Sequence, residues 1–279
     1  MPLKPVCGPV WKKFCSSNFV RMKDRIVAHA LHVPIRREPS DTAEMVNSML
    51  MGETARIVEQ PDDMWFLVET DLDGYTGYVS ATMTSETPEK LPAETHRVEV
   101  PFLHGSVDGL AKFLPIGTPL IPFQEGYKWG KNKVFKPNNP LKPLEKRPFV
   151  EAVLETAASM LDTPYLWGGR SVLGVDCSGL THTAALLTGL VLPRDARDQA
   201  HVGEPVSCIE DLQRGDWVFF SPEPDRPMTH VGLYVGDGRF IHASGLVRYN
   251  HFDPVNPEFS AKHLEQFRFG RRIKPALSA

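Results

Sequence analysis

The sequence predicts a multidomain chain: two small all-β units, then an α+β domain with an antiparallel sheet. Three observations lead there. Short β-rich runs parted by Gly and Pro turns fill the first half, and a proline-rich stretch from Lys136 to Pro148 (KPNNPLKPLEKRP) closes it. Beyond that stretch, helical periodicity gives way to alternating strands. The length agrees, since 279 residues exceed one compact domain of roughly 150 and suit two or three.

In chain order, Met1 to Met22 holds lysines and two cysteines but no long apolar run, and its pattern favours no element. From Ile26 to Val79 the character is β. Thr54 to Val58, Trp65 to Glu69 and Tyr75 to Val79 read as strands, with Asp71-Leu72-Asp73-Gly74 as the turn between the last two. Met45 to Met51 reads as a helical turn. A second β unit runs from Arg97 to Phe135, with Val98 and Val100 alternating and turns at His104-Gly105 and Asp108-Gly109. Strands at this spacing make small barrels of SH3-like size. Next, Phe149, Val150, Val153, Leu154, Ala157, Ala158 and Leu161 recur at helical spacing. A second helix follows from Cys177 to Leu187. Asp216 to Phe220, His230 to Val235 and Arg239 to Ala243 are strands, the last two joined by a Gly236-Asp237-Gly238 hairpin loop. The resulting boundaries are 1–90 for the N-terminal segment and first SH3-like unit, 91–140 for the second, 141–148 for the linker and 149–279 for the α+β domain.

Composition narrows the function classes. The net charge is −3 without basic clustering, so no nucleic-acid partner is expected. No apolar run approaches the roughly 18–20 residues that span a bilayer, and the first residues lack the apolar core of a secretory signal, so no membrane partner is expected. The four cysteines, Cys7, Cys15, Cys177 and Cys208, fit neither a disulfide framework nor paired zinc-ligand spacing. A reduced, cytoplasmic protein with one special thiol is the expectation. Oligomeric state leaves no mark on the sequence.

That thiol is Cys177. It opens the second helix behind a glycine-rich loop, Trp167-Gly168-Gly169-Arg170-Ser171. The free N–H groups and dipole of a helix N-terminus favour a thiolate there. Taken alone, Cys177 also reads as a small buried residue. The histidines shift the balance. Side chains alternate along a strand, and the hairpin sets Gly232 opposite His242, which makes His230 the diagonal neighbour of His242 on the same face. The glycine leaves room for the ring. His230 is then the base that takes the thiol proton, giving a thiolate–imidazolium pair, and His242 is the group that orients it. Singly, each histidine also reads as a core or edge residue satisfied by a carbonyl. Cys with two His is in addition a catalytic zinc set, but no H-x-x-x-H or C-x-x-C pair supports one, and neither metal nor cofactor is expected.

Several stretches resemble the NlpC-type cell-wall peptidase family, papain-like cysteine peptidases that cut bacterial peptidoglycan peptides. They are Thr163-Pro164-Tyr165-Leu166-Trp167-Gly168-Gly169, Asp176-Cys177-Ser178-Gly179-Leu180, Leu192-Pro193-Arg194-Asp195-Ala196, Leu212-Gln213-Arg214-Gly215-Asp216 and the two histidine strands. Arg36-Arg37-Glu38-Pro39-Ser40, Glu44, Gly52, Trp65 and Asp73-Gly74-Tyr75 resemble the bacterial SH3-like domain that precedes the catalytic domain in one subgroup, the γ-D-glutamyl-L-diamino acid endopeptidases of free muropeptides. Tyr78 stands where the family often has tryptophan, and the first 30 residues and second β unit match least. The resemblance implies that Tyr165 donates to the oxyanion. It implies that Asp176, Ser178 and Asp195 surround the substrate's N-terminal side, and that Glu44 and Tyr75 close that end. In the plain structural reading Tyr165 is core, Asp176 and Ser178 cap the helix, and Glu44 is an exposed charge. Arg170 and His182 receive no role.

Acidic groups closing a cleft reward a free α-amine and reject an acylated one. The expected partner is therefore a small muropeptide stem, and the expected job is cytoplasmic recycling of wall peptides. An amidase or acyltransferase on the same scaffold is the rival enzyme, and a wall-peptide binding module is the rival of another class.

Overall fold

The computed structural model describes residues 24–87, 90–91, 95–141 and 147–274. Cys7, Cys15 and most of the expected 141–148 linker lie outside them. The first strands are β1 (Arg25–Ala28), β2 (His32–Arg36), β3 (Met45–Leu50), β4 (Thr54–Asp62), β5 (Trp65–Thr70), β6 (Thr76–Ser80) and β7 (Thr84–Thr87). They form one seven-stranded sheet in the order β3-β2-β6-β5-β4-β1-β7, each pair antiparallel. Ile26, Val33, Ile35, Met49, Val68 and Val79 close on one another as its core.

Met45 to Leu50 is a strand, not the helical turn expected. Its Met and Leu content suits a helix, but its partners are tertiary. Met49 enters the sheet's core, whereas the side chain of Asn47 and the carbonyl of Ser48 receive guanidinium groups from the far end of the chain. Such distant partners override intrinsic propensity.

The second unit holds β8 (Phe102–Val107), β9 (Leu110–Pro115), β10 (Pro122–Phe123), β11 (Gly126–Trp129) and β12 (Lys133–Pro137), ordered β10-β11-β12-β8-β9. Asp108-Gly109 is the β8–β9 turn as expected, with φ of 52° and 75°, the positive pair a tight hairpin requires. His104-Gly105 is not a turn. Gly105 lies inside β8, where a β-carbon would strike the Phe135 ring and the Lys136 carbonyl.

The remaining elements are α1 (Phe149–Ser159), β13 (Arg170–Ser171), β14 (Gly174–Val175), α2 (Cys177–Leu186), α3 (Ala196–Gln199), β15 (Glu204–Val206), β16 (Trp217–Phe220), β17 (His230–Gly236), β18 (Arg239–Ser244), β19 (Leu246–His251), α4 (Ala261–Gln266) and β20 (Phe267–Arg272). Six of these strands make an antiparallel sheet ordered β15-β20-β16-β17-β18-β19. All ten residues of α2 are buried. Leu180 and Ala184 pack with Val153 of α1 and Val231 of β17, while the opposite side meets the first β unit. A helix buried all round carries no amphipathic stripe. Among the described residues no helix is long and apolar enough to cross a membrane.

Charged groups that the sequence left without a role join the three units. The buried Glu53 carboxylate, at the β3–β4 turn, accepts from Arg97 Nη1 at 2.8 Å and from Arg170 Nη2 at 2.9 Å. His182 of α2 faces Asp73 of the first unit at 3.4 Å, both fully buried.

Candidate active site

Cys177 is the first residue of α2. Asp176 caps the helix, its Oδ1 accepting from the Gly179 N–H at 2.7 Å. Gly179 is required by close approach, because a β-carbon there would collide with the Gly169 carbonyl. The cap is held in turn. Arg194, buried, donates to Asp176 Oδ1 and Oδ2 at 3.0 and 2.7 Å, to Ser178 Oγ at 2.8 Å, and to Asn47 Oδ1 of β3 at 2.8 Å. Asp176 Oδ2 also accepts from the Gly168 N–H at 2.7 Å. The Asp176 carboxylate thus takes donors from Gly168, Ser178, Gly179 and Arg194 at the start of the helix that Cys177 opens.

The expected register is present: Gly232 pairs with His242 across β17–β18. A β-carbon on Gly232 would stand 2.8 Å from the Ile241 carbonyl and 3.1 Å from His242 Cβ, so the glycine makes the space. His230 Nε2 and His242 Nδ1 are 2.8 Å apart, their rings perpendicular. His242 Nε2 lies 2.9 Å from Asn250 Oδ1 on β19, and Asn250 Nδ2 donates to the Glu258 carbonyl at 2.8 Å. His263 of α4 stacks edge-on against His242, with centroids 4.5 Å apart. His230, His242 and His263 are the described residues whose ligand atoms cluster closely enough, within 4.8 Å, to hold a metal. The facing nitrogens of the first two are already spent on each other.

Electrostatics alter one expectation. Burial pushes the Cys177 thiol up to about 12, with Asp176 adding to it, against the opposing pull of the Val231 and Ser178 N–H groups and Arg194. Burial, then His242, His263 and Lys262, hold His230 well below its ordinary value. Both shifts favour the neutral thiol and the neutral imidazole over the thiolate–imidazolium pair expected from the helix terminus alone. A helix N-terminus contributes only a partial charge, and full burial outweighs it. Alkylation of Cys177 by iodoacetamide should consequently climb steadily with pH from 6 to 9. A rate already flat across that range would show a preformed ion pair.

Tyr165 is half-buried. Burial, Cys177 and Asp176 all raise its hydroxyl, which favours the protonated form. A groove of about 570 Å³ runs past Cys177 between the first β unit and the α+β unit. Its lining includes Tyr75, Trp167, Asp176, Ser178, Asp195 and Arg197. Asp195 is held loosely: the Tyr75 hydroxyl donates at 3.4 Å, and Arg197 stands at 3.3 Å. Burial raises the Asp195 carboxyl despite Arg194 and Arg197. The groove thus brings Cys177, Asp176, Ser178, Asp195 and Tyr75 together, Tyr165 feels the Cys177 sulfur, and the His230–His242 pair stands on the strand whose Val231 backbone bonds Cys177. Glu44 is set apart from the groove lining, bonded at 2.7 Å to Arg37, which does line it. Sequence reasoning passed over Arg194, Asn47, Asn250 and His263. For Asn250 the signal was there, since Ser244-Gly245 is a turn followed by alternating residues.

Residues 162–268 match the NlpC/P60 family and residues 35–82 match the bacterial dipeptidyl-peptidase Sh3 domain. The gamma-D-glutamyl-L-lysine dipeptidyl-peptidase of Bacillus cereus is 35% identical over 46% of this chain and 38% of its own. The protein of the same name from Bacillus subtilis is 37% identical over 45% of this chain and 44% of its own. The chain thus spans less than half the length of these two relatives. Dipeptidyl-peptidase 6 of Lysinibacillus sphaericus is 28% identical over 82% of this chain and 92% of its own. A crystal structure of an NlpC/P60 family protein from Bacillus cereus shares the fold across 90% of this chain and 100% of its own, with a TM-score of 0.70 at 19% identity.

Proposed function

We infer that this chain, which belongs to the NlpC/P60 family and joins that domain to a bacterial dipeptidyl-peptidase SH3 domain, is a cysteine endopeptidase of free peptidoglycan peptides. It hydrolyses the γ-D-glutamyl bond to an L-diamino acid, diaminopimelate or lysine, in peptides whose N-terminal L-Ala is unblocked. In this reading the second β unit is a further SH3-like barrel, and the nucleophile helix lies on its histidine sheet in papain-like fashion.

One observation carries the substrate. Asp195 is a half-buried carboxylate with long contacts, standing where the first β unit, through Tyr75, closes the groove beside Cys177. A half-satisfied, partly dehydrated carboxylate gains most from a cation, and a free α-amine is one. Acylation of that amine removes both the charge and the fit. Intact wall, whose stem peptides are acylated onto sugar, is spared, which supports a role in cytoplasmic recycling of released peptides.

As Cys177 Sγ attacks the γ-carbonyl carbon, His230 Nδ1 takes its proton and the Tyr165 hydroxyl donates to the oxygen that becomes negative. The tetrahedral adduct collapses, His230 returns the proton to the departing amine of the diamino acid, and a thioacyl enzyme remains. Water, deprotonated by His230, releases L-Ala-D-Glu and restores the thiol.

Mass spectrometry on L-Ala-γ-D-Glu-diaminopimelate, its N-acetylated form and a Cys177→Ala control tests the reading. Release of L-Ala-D-Glu is expected from the free-amine peptide alone and is absent in the control. Asp195→Asn should lower kcat/KM on that peptide 10- to 100-fold, from the ~1.5–3 kcal/mol of a charge-assisted hydrogen bond. Equal turnover of free and acetylated peptides would defeat the proposal.

A further inference from the structure

The relay behind the histidines extends further than the pair itself. Asn250 can present only one orientation, because its Nδ2 is committed to the Glu258 carbonyl at 2.8 Å, which leaves Oδ1 facing His242. Glu258 is itself anchored. Its carbonyl also receives the His251 N–H at 2.9 Å, and its carboxylate takes the Arg239 fork at 2.6 and 2.7 Å. The Arg239 guanidinium in turn lies 3.6 Å from the Tyr249 ring centroid.

An oxygen acceptor at His242 Nε2 requires a proton on that nitrogen. Neutral His242 then offers a bare Nδ1, so His230 must donate through Nε2–H across the 2.8 Å contact. A neutral His230 is left with its lone pair on Nδ1, the nitrogen available to the thiol. We propose that Asn250, seated by Glu258, is a positioning residue that fixes the tautomers of His242 and His230 and so selects Nδ1 of His230 as the base. Being an amide, it does this without placing a charge behind the pair.

The proposal rests on the peptidase reading for its kinetic arm but not for its spectroscopic one. Histidine ¹⁵N spectra of the Cys177→Ala protein, which need no substrate, should show protonated Nε2 and bare Nδ1 on both rings. Asn250→Leu, which removes the acceptor, should give mixed tautomers and lower kcat 10- to 100-fold on the free-amine peptide, with KM little changed. Asn250→Asp keeps an acceptor and adds a charge. It should move the acid limb of the kcat/KM profile upward, against the background of His263, Lys262 and Arg248 that face the pair. Unaltered tautomers in Asn250→Leu, or an acid limb unmoved in Asn250→Asp, would overturn the assignment. If the spectra behave as expected and no peptide is cleaved, the substrate reading fails and the relay stands.

Discussion

Arg194→Leu should destabilise the protein by about 3–5 kcal/mol, the usual result of leaving one member of a buried ion pair behind. Its side chain is 1% exposed and that of Asp176 is 8% exposed, so water cannot replace the lost partner. A change of this size lowers the midpoint of thermal unfolding by on the order of 10 °C for a chain of this length. The effect does not stop at stability. Arg194 holds Asp176, Ser178 and Asn47 at once, and Asp176 caps the helix whose first residue is the proposed nucleophile, Cys177. Peptidase activity should fall by at least 100-fold even at temperatures where the variant is folded. Arg194→Lys separates charge from geometry. It keeps the cation but cannot make the fork to Asp176, and is expected between wild type and Arg194→Leu in both measurements. A melting midpoint unchanged in Arg194→Leu would show that Asp176 does not depend on this arginine.

That network also explains what the sequence disclosed and what it withheld. Local signals served well where a local cause acts. The Asp108-Gly109 turn, the Cys177 helix start and the pairing of Gly232 with His242 follow from glycine chemistry, capping and strand alternation. They failed where a distant partner decides. Met45–Leu50, a strand, meets Arg170 and Arg194, more than 120 residues away along the chain. Arg170 and His182 had no visible role because their partners, Glu53 and Asp73, sit on another unit. Protonation was likewise illegible, since the helix terminus at Cys177 is written in the sequence and its burial is not. Asn250 falls between these cases. Its strand was readable, but its meaning depends on a backbone carbonyl eight residues on.

Glu53→Leu should do more damage than any other single change at the junction, because one carboxylate serves two cations from two different units. Burial alone would push Glu53 up, yet Arg170 and Arg97 together hold it below the ordinary carboxylate range, so it is charged in the folded protein. Removing it strands two guanidinium groups whose side chains are 1% and 10% exposed. Each abandoned charge costs about 3–5 kcal/mol if it stays buried. The cheaper outcome is that the units part and both arginines reach water. The expected result is therefore a calorimetric trace that splits, with the α+β unit and the β units melting separately, and peptidase activity that disappears with the first of the two transitions. Activity depends on the junction because the groove beside Cys177 is completed by Tyr75 and Arg37 of the first unit. Arg97→Met is the control. It leaves the Glu53–Arg170 pair intact at 2.9 Å, and should lower the melting midpoint while preserving a single transition. If Glu53→Leu also melts in one step and keeps its activity, the front of the chain is joined to the Cys177 helix by apolar packing, and the buried charges are passengers.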